Sequence, residues 1–321
     1  MIESILDGVL AGKELAFEEA MVLLSVEGDD LDPLTEAANT IRKRFCGNKI
    51  DLCSLINAKS GLCSEDCKFC AQSLRYKTNC ETYPLVSVEK IVSAARNAKE
   101  NGATNFCIVI SGKGPTSKEF EKIKEAIRRI KKEVGIKIDC SLGGVTKAMI
   151  EDLKKMGIDR YNHNLETSEN FYKNICRSHH FNDRLNTVRM LKDLGVEPCC
   201  GGIIGLGEAP EERLNLAFLL KELDIRCIPI NILNPRKGTP LESVSRLEPL
   251  DIIKTVAVFR LILPRSVIKI ASGREDALGN MQEKAFASGA NGMIIGGYLT
   301  TAGQSVEDDL QMVKDLGFEL K

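Results

Sequence analysis

Asp51-Leu52-Cys53-Ser54-Leu55-Ile56-Asn57-Ala58-Lys59-Ser60-Gly61-Leu62-Cys63-Ser64-Glu65-Asp66-Cys67-Lys68-Phe69-Cys70 joins a strand-like run to a cysteine-rich loop. Asp51–Ala58 reads as a buried strand, and Gly61 then opens a loop with cysteines spaced C-x3-C-x2-C. Three thiolates hold three irons of a cubane iron–sulfur cluster and leave the fourth open. A closed structural zinc site needs four ligands, and electron-carrier clusters usually take four cysteines, so the trio implies another occupant at the open iron. The same spacing would also align three small hydrophobes on one helix face. Ser64, Glu65, Asp66 and Lys68 fill the interval and disfavour that reading.

From residue 51 onward, strand-like runs alternate with amphipathic ones, the pattern of a parallel sheet with crossover helices. The strands are read as Asp51–Ala58, Thr104–Ile110, Ile136–Leu142, Asp159–Asn164, Glu197–Ile204, Arg226–Leu233, Val267–Ser272 and Gly292–Gly296. The helices include Val88–Asn101, Ser117–Val134, Thr146–Met156, Asn182–Leu194 and Pro210–Leu223. The fold class is α/β, a (β/α)8 TIM-type barrel over residues 51–321, with residues 1–50 as a helical extension capping one barrel end. In such barrels chemistry sits at the carboxyl ends of strands, where the three-cysteine loop falls.

Charge narrows the partners. The 44 basic and 45 acidic residues nearly cancel, so no global field points to nucleic acid or a membrane surface. Arg128-Arg129-Ile130-Lys131-Lys132 reads as a solvated helix face. No apolar run reaches spanning length and the amino terminus lacks a signal-peptide layout, so the expected location is the cytoplasm. Twelve cysteines in a chain of this size then read as metal ligands or core residues.

Further segments carry a resemblance. C-x3-C-x2-C with Phe69 before the last cysteine resembles the signature of the radical S-adenosylmethionine superfamily, and Gly201-Gly202-Ile203-Ile204-Gly205-Leu206-Gly207-Glu208 resembles its adenosyl-binding stretch G-x-I-x-G-x-x-E. Tyr161–Ser168, Pro229-Ile230-Asn231, Ala271–Glu275 and Ala71-Gln72-Ser73 extend the likeness, from Leu52 onward, to the biotin synthase family. That family closes the thiolane ring of biotin by inserting sulfur between two unactivated carbons of dethiobiotin. Aliphatic C–H bonds are too weakly acidic for any side-chain base, so a carbon radical must start the reaction.

The resemblance implies a [4Fe-4S] cluster on Cys63, Cys67 and Cys70, with S-adenosylmethionine on its open iron. It implies Phe69, Asn164, Glu166, Gly201, Gly202, Ile203, Gly205 and Glu208 around that cofactor, and Asn164 and Asn231 for dethiobiotin. It implies an auxiliary [2Fe-2S] cluster on Cys107, Cys140, Cys199 and Arg274, a homodimer and a flavodoxin-type electron donor. Methylornithine synthase-like and hydrogenase-maturation-like enzymes are the alternatives on the same barrel.

The chain also departs from that family. Cys53 and Cys227 stand where serines are usual, and strand alternation faces Cys227 inward with Asn231. Up to five interior thiolates suggest an auxiliary cluster larger than [2Fe-2S], resembling the [4Fe-5S] form of enzymes from anaerobes. Glu166 replaces an aspartate and Asn105 an arginine, and Cys200 is expected to face the outer helices. Cys46, Cys80 and Cys176 match no ligand position, and His179 and His180 lack a partner at helical spacing.

Overall fold

The computed structural model describes residues 1–301 and 303–320. Its strands are β1 (Asp51–Lys59), β2 (Asn105–Ile110), β3 (Lys137–Ser141), β4 (Arg160–Asn162), β5 (Pro198–Cys199), β6 (Gly202–Ile204), β7 (Cys227–Ile232), β8 (Val267–Ile270) and β9 (Gly292–Ile294). The helices are α1 (Ile2–Leu10), α2 (Phe17–Leu24), α3 (Leu31–Cys46), α4 (Val88–Glu100), α5 (Ser117–Glu133), α6 (Lys147–Lys155), α7 (Glu169–Tyr172), α8 (Phe181–Asp193), α9 (Pro210–Glu222), α10 (Pro249–Ile262), α11 (Arg274–Leu278), α12 (Gln282–Ala287) and α13 (Val306–Asp315). None of the described helices is long and apolar enough to cross a membrane.

All strand pairs are parallel and run β5-β4-β3-β2-β1-β9-β8-β7-β6. Cys199 opposite Cys227 joins β5 to β7 and closes the ring, and β6 continues beside β7 from Gly202. β5 and β6 are therefore halves of one barrel strand, and the barrel has the eight-fold form. The sequence reading made Glu197–Ile204 continuous; the break has a steric cause. A Cβ on Gly201 would lie 2.0 Å from the Pro229 carbonyl oxygen, and one on Gly202 would lie 2.5 Å from that of Glu166. Such close approach replaces regular pairing with N–H donation from Leu165 and Glu166 to the Gly201 oxygen, at 2.9 and 3.2 Å.

Helix formation follows local chemistry. Thr116 and Glu119 form a capping box that opens α5, which buries Phe120, Ile123, Ala126, Ile127 and Ile130 along one stripe. α10 is different, because Ile252, Ile253, Val256, Ala257, Val258, Phe259 and Leu261 are buried all round it. A helix without a polar face needs cover on both sides, which the barrel gives within and α2 and α3 give without. α3 packs mainly on α10 and α1, and α2 on α10 and α9, so these helices of the first fifty residues lie against helices of the barrel.

Pleating decides which residues enter the barrel. Cys53, Leu55, Cys107, Val109, Ser141, Asn162, Cys199, Ile203, Asn231, Lys269 and Ile294 line its interior. Their neighbours Ile108, Ile138, Cys140, Tyr161, Ile228, Ile268 and Ile270 join the apolar layer beneath the helices.

Candidate active site

A cavity of about 530 Å³ occupies the barrel interior, with Cys63, Cys67 and Cys70 on its wall together with Cys53, Cys107 and Cys199. The loop carrying the first three is held by its own backbone. Cys63 N–H donates to the Gln72 oxygen at 3.0 Å, and Leu74 N–H donates to the Cys63 oxygen at 2.9 Å. Gln72 Oε1 accepts from Ser60 Oγ and Gly61 N–H, both at 3.2 Å, tying the loop to the end of β1. Burial pushes the Cys70 thiol up to about 11, a cost that binding a metal would reverse. Among the described residues, only Cys67, Cys176 and His179 bring three metal-ligating atoms within 4.8 Å of one another. Cys63, Cys67 and Cys70 are spread more widely than one ion requires, and as a soft-donor set they suit a cluster.

Phe69, Asn164, Glu166 and Ile203 also line the cavity. Asn164 Oδ1 accepts the Gly201 N–H at 3.1 Å, and the Glu166 carbonyl accepts that of Ile203 at 2.7 Å. Glu166 adopts φ 71°, a strained conformation for a non-glycine residue, and burial raises its pKa even though Arg184 stands 3.3 Å from its carboxylate. Gly201, Gly202, Gly205 and Glu208 stand off the lining and shape the backbone behind it. Glu208 Oε1 accepts from Gly205 N–H at 2.8 Å and from Arg213 Nε at 2.7 Å, which makes it a brace for this loop. Asn231 donates to the Gly202 oxygen at 3.1 Å and accepts from Ser272 N–H at 3.2 Å, holding its amide at the cavity wall. His163 is a neutral wall residue, its pKa lowered by burial to about 3.

The strand thiols gather apart from the loop. Cys199 and Cys227 place their sulfurs 3.3 Å apart, and Asn162 Nδ2 donates to Cys107 Sγ at 3.5 Å. Cys53 joins Cys107 and Val109 on the same inward face. Burial lifts Cys53 to about 12 and pushes Cys107 well up, while the hydrogen bond between Cys199 and Cys227 raises the first and lowers the second. Beside them lies a buried ionic chain, with Lys269 Nζ 2.8 Å from Asp51 Oδ1, and Asp51 Oδ2 2.8 Å from Arg160 Nη2. Burial alone would depress Lys269, but Cys53, Asp51, Cys227 and Cys199 hold its pKa above the usual value. Asp139 faces the same end, accepts from Asn105 Nδ2 at 3.3 Å, and is raised by burial to about 6. Asn162 Oδ1, Asp139 Oδ2 and Arg160 Nη1 are buried without a hydrogen-bond partner. Four thiols, two cations and orphaned polar atoms suit an iron–sulfur cluster better than an apolar ligand.

Two residues expected at this end are elsewhere. Cys140 alternates with Asp139 and Ser141, and because Ser141 lines the cavity, Cys140 points into the outer apolar layer. Arg274 follows the left-handed Gly273 turn (φ 85°) and opens α11, beyond the inward face of β8. Its guanidinium lies 2.9 Å from Asp309 Oδ1 and 2.9 Å from Glu275 Oε1 and donates to Gln282 Oε1 at 2.6 Å. The cation facing the thiols is Lys269, which was not anticipated; a lysine within Val-Ile-Lys-Ile of a parallel strand buried on both faces is the signal. Cys200 faces the outer layer as anticipated.

Residues 59–220 match the Radical SAM superfamily, and residues 229–319 match the Biotin and Thiamin Synthesis associated domain. With the parallel barrel and three-cysteine loop, this defines a radical S-adenosylmethionine enzyme, a class that uses a [4Fe-4S] cluster and S-adenosylmethionine. The chain is 46% identical to the biotin synthase of Rippkaea orientalis over 325 residues, covering 99% of this chain and 88% of the relative. It is 46% identical over 320 residues to that of Clostridium acetobutylicum, covering 99% and 98%. It is 45% identical over 316 residues to that of Pelotomaculum thermopropionicum, covering 98% of each. The chain belongs to the biotin synthase family. Solved structures of methylornithine synthase (TM-score 0.87, 22% identity, 99% and 97% coverage) and of the FeFe-hydrogenase maturase HydG from Carboxydothermus hydrogenoformans (TM-score 0.83, 20% identity, 99% and 78% coverage) share the fold.

Proposed function

We propose that this enzyme converts dethiobiotin to biotin, with Cys63, Cys67 and Cys70 generating the radical and Cys53, Cys107, Cys199 and Cys227 holding the sulfur source. The carrying observation is that loop and strand thiols border the same cavity, Cys227 reaching it through Cys199. When bound, the [4Fe-4S] cluster and S-adenosylmethionine supply a 5'-deoxyadenosyl radical, and the auxiliary cluster supplies sulfur.

The protein's own part is placement and shielding. Asn164, Glu166 and Ile203 face the adenosyl moiety, while Asn231 presents an amide to the ureido group of dethiobiotin. The barrel wall keeps water from the substrate radical. Four cysteines favour an auxiliary cluster larger than [2Fe-2S], of [4Fe-5S] composition. Lys269 and Arg160 counter the negative charge of that thiolate set.

The same reading includes a flavodoxin-type reductant, a homodimer, a cytoplasmic location, and residues 1–50 as an extension of a 51–321 catalytic barrel. Anaerobic incubation with dethiobiotin, S-adenosylmethionine and a reductant, followed by mass spectrometry, tests the reaction. Biotin is expected; neither biotin nor a thiolated intermediate from fully reconstituted enzyme would overturn the substrate. Mössbauer spectra of the same sample test the cluster, a two-iron auxiliary signal excluding the larger form.

A further inference from the structure

The turn after β7 brings an unpartnered cation to the mouth of the barrel. The Arg236 carbonyl accepts from Thr239 N–H at 3.1 Å and from Thr239 Oγ1 at 2.7 Å, which closes the turn. Gly238 (φ 87°) seats it so closely on the segment beyond the three-cysteine loop that a Cβ there would lie 2.0 Å from the Lys77 oxygen. Arg236, half-buried, then lines both the barrel cavity and a second cavity of about 610 Å³ that Thr78, Asn79 and Glu81 border. Among the described residues its guanidinium has neither an ion pair nor a hydrogen bond.

We propose that Arg236 receives the side-chain carboxylate of dethiobiotin and so selects acidic substrates at the mouth of the barrel. The proposal rests on dethiobiotin being the substrate. That molecule carries its carboxylate at the far end of an aliphatic chain from the carbons that gain sulfur. β7 and the turn after it hold the matching order, with Cys227 among the strand thiols, Asn231 at the cavity wall for the ureido group, and Arg236 at the mouth. A carboxylate resists burial unless it is paired, so the charged end of the substrate belongs at the half-exposed cation and the neutral ring belongs deeper. A guanidinium also offers a carboxylate two parallel N–H donors. The other cations lining the barrel cavity are engaged or badly placed. Arg184 lies 3.3 Å from Glu166 and Lys269 lies 2.8 Å from Asp51, so each already has a carboxylate. Lys113 is exposed and follows β2, which stands opposite β7 in the closed ring.

Isothermal titration of the anaerobically reconstituted enzyme with dethiobiotin and with its primary amide, in the presence of S-adenosylmethionine and without reductant, tests this. Wild type is expected to bind the acid roughly tenfold or more tightly than the neutral amide, the usual worth of a hydrogen bond to a charged group. Arg236→Met is expected to weaken the acid by a similar factor and leave the amide nearly unchanged, at full iron content and unaltered S-adenosylmethionine affinity. Arg236→Lys, which keeps the charge, is expected to retain a preference for the acid. A methionine variant that still prefers the acid, a wild type that does not, or a lysine variant without the preference overturns the proposal. So does a methionine variant that loses affinity for S-adenosylmethionine but not for dethiobiotin. Binding of neither compound by the wild-type enzyme would instead strike the substrate reading on which it rests.

Discussion

Lys269 Nζ lies 2.8 Å from Asp51 Oδ1 beside the inward-facing cysteines, with only 2% of the lysine exposed. An ammonium in this position is paired on one side and faces soft anions on the other. Removing it leaves Asp51 dependent on Arg160 and takes a counter-charge from the thiols.

Lys269→Met should destabilise the folded enzyme by about 3–5 kcal/mol, the usual cost of breaking a buried pair from one side. It should also lower auxiliary iron while the [4Fe-4S] signal persists. Urea denaturation, iron content and the ratio of biotin to 5'-deoxyadenosine measure these effects. A variant with full auxiliary iron and a normal ratio would remove Lys269 from the sulfur site.

Cys140→Ala and Arg274→Met should leave iron and sulfide per folded molecule at wild-type values, because both side chains point away from the strand thiols. Arg274→Met should still cost about 3–5 kcal/mol through Asp309, which it would strand beside α11. Cys227→Ala, in contrast, should lose auxiliary iron with little loss of stability. Metal analysis of the three purified variants separates these outcomes.

Asp139 makes the metal-free protein sensitive to pH. Burial raises its folded-state pKa from 3.8 to about 6, so the folded state binds the proton more tightly than the unfolded chain. Its favourable contribution is complete below about pH 4, declines as pH rises, and is lost above about pH 6. Asp139→Asn should therefore gain roughly 2–3 kcal/mol relative to wild type above that range and converge with it below. Unfolding free energies of both metal-free proteins across that range test the sign.

Gly201→Ala should abolish S-adenosylmethionine binding. The added Cβ would meet the Pro229 oxygen at 2.0 Å and force apart the backbones that present Asn164 and Ile203. Isothermal titration of the reconstituted variant measures this, and retained affinity would show that the loop tolerates the shift.

The barrel was legible because apolar runs and amphipathic segments alternate along the chain, and the observed strands fall within the runs read from it except that β1 runs one residue further, to Lys59. The break at Cys200-Gly201 was not, since it arises from the approach of Pro229, a residue on another strand. The site was legible where residues cluster locally, as in Cys63–Cys70, and less so where strand parity decides. Cys140 and Asp139 are adjacent, and only the facing of Ser141 tells which enters the barrel. Arg274 stands beyond a left-handed glycine, so its proximity to β8 in sequence did not carry its side chain inward. Cys176 had no readable partner, because Cys67 lies 109 residues away along the chain.

The absence of a solvent face on α10 also governs how the molecule comes apart. An outer layer that completes the burial of a barrel helix cannot detach without exposing that helix to water, so its loss and the opening of the barrel are one thermodynamic event. The chain should therefore lack a folded intermediate with a bare barrel, and spectroscopic reporters placed in α3 and in β8 should melt at the same temperature.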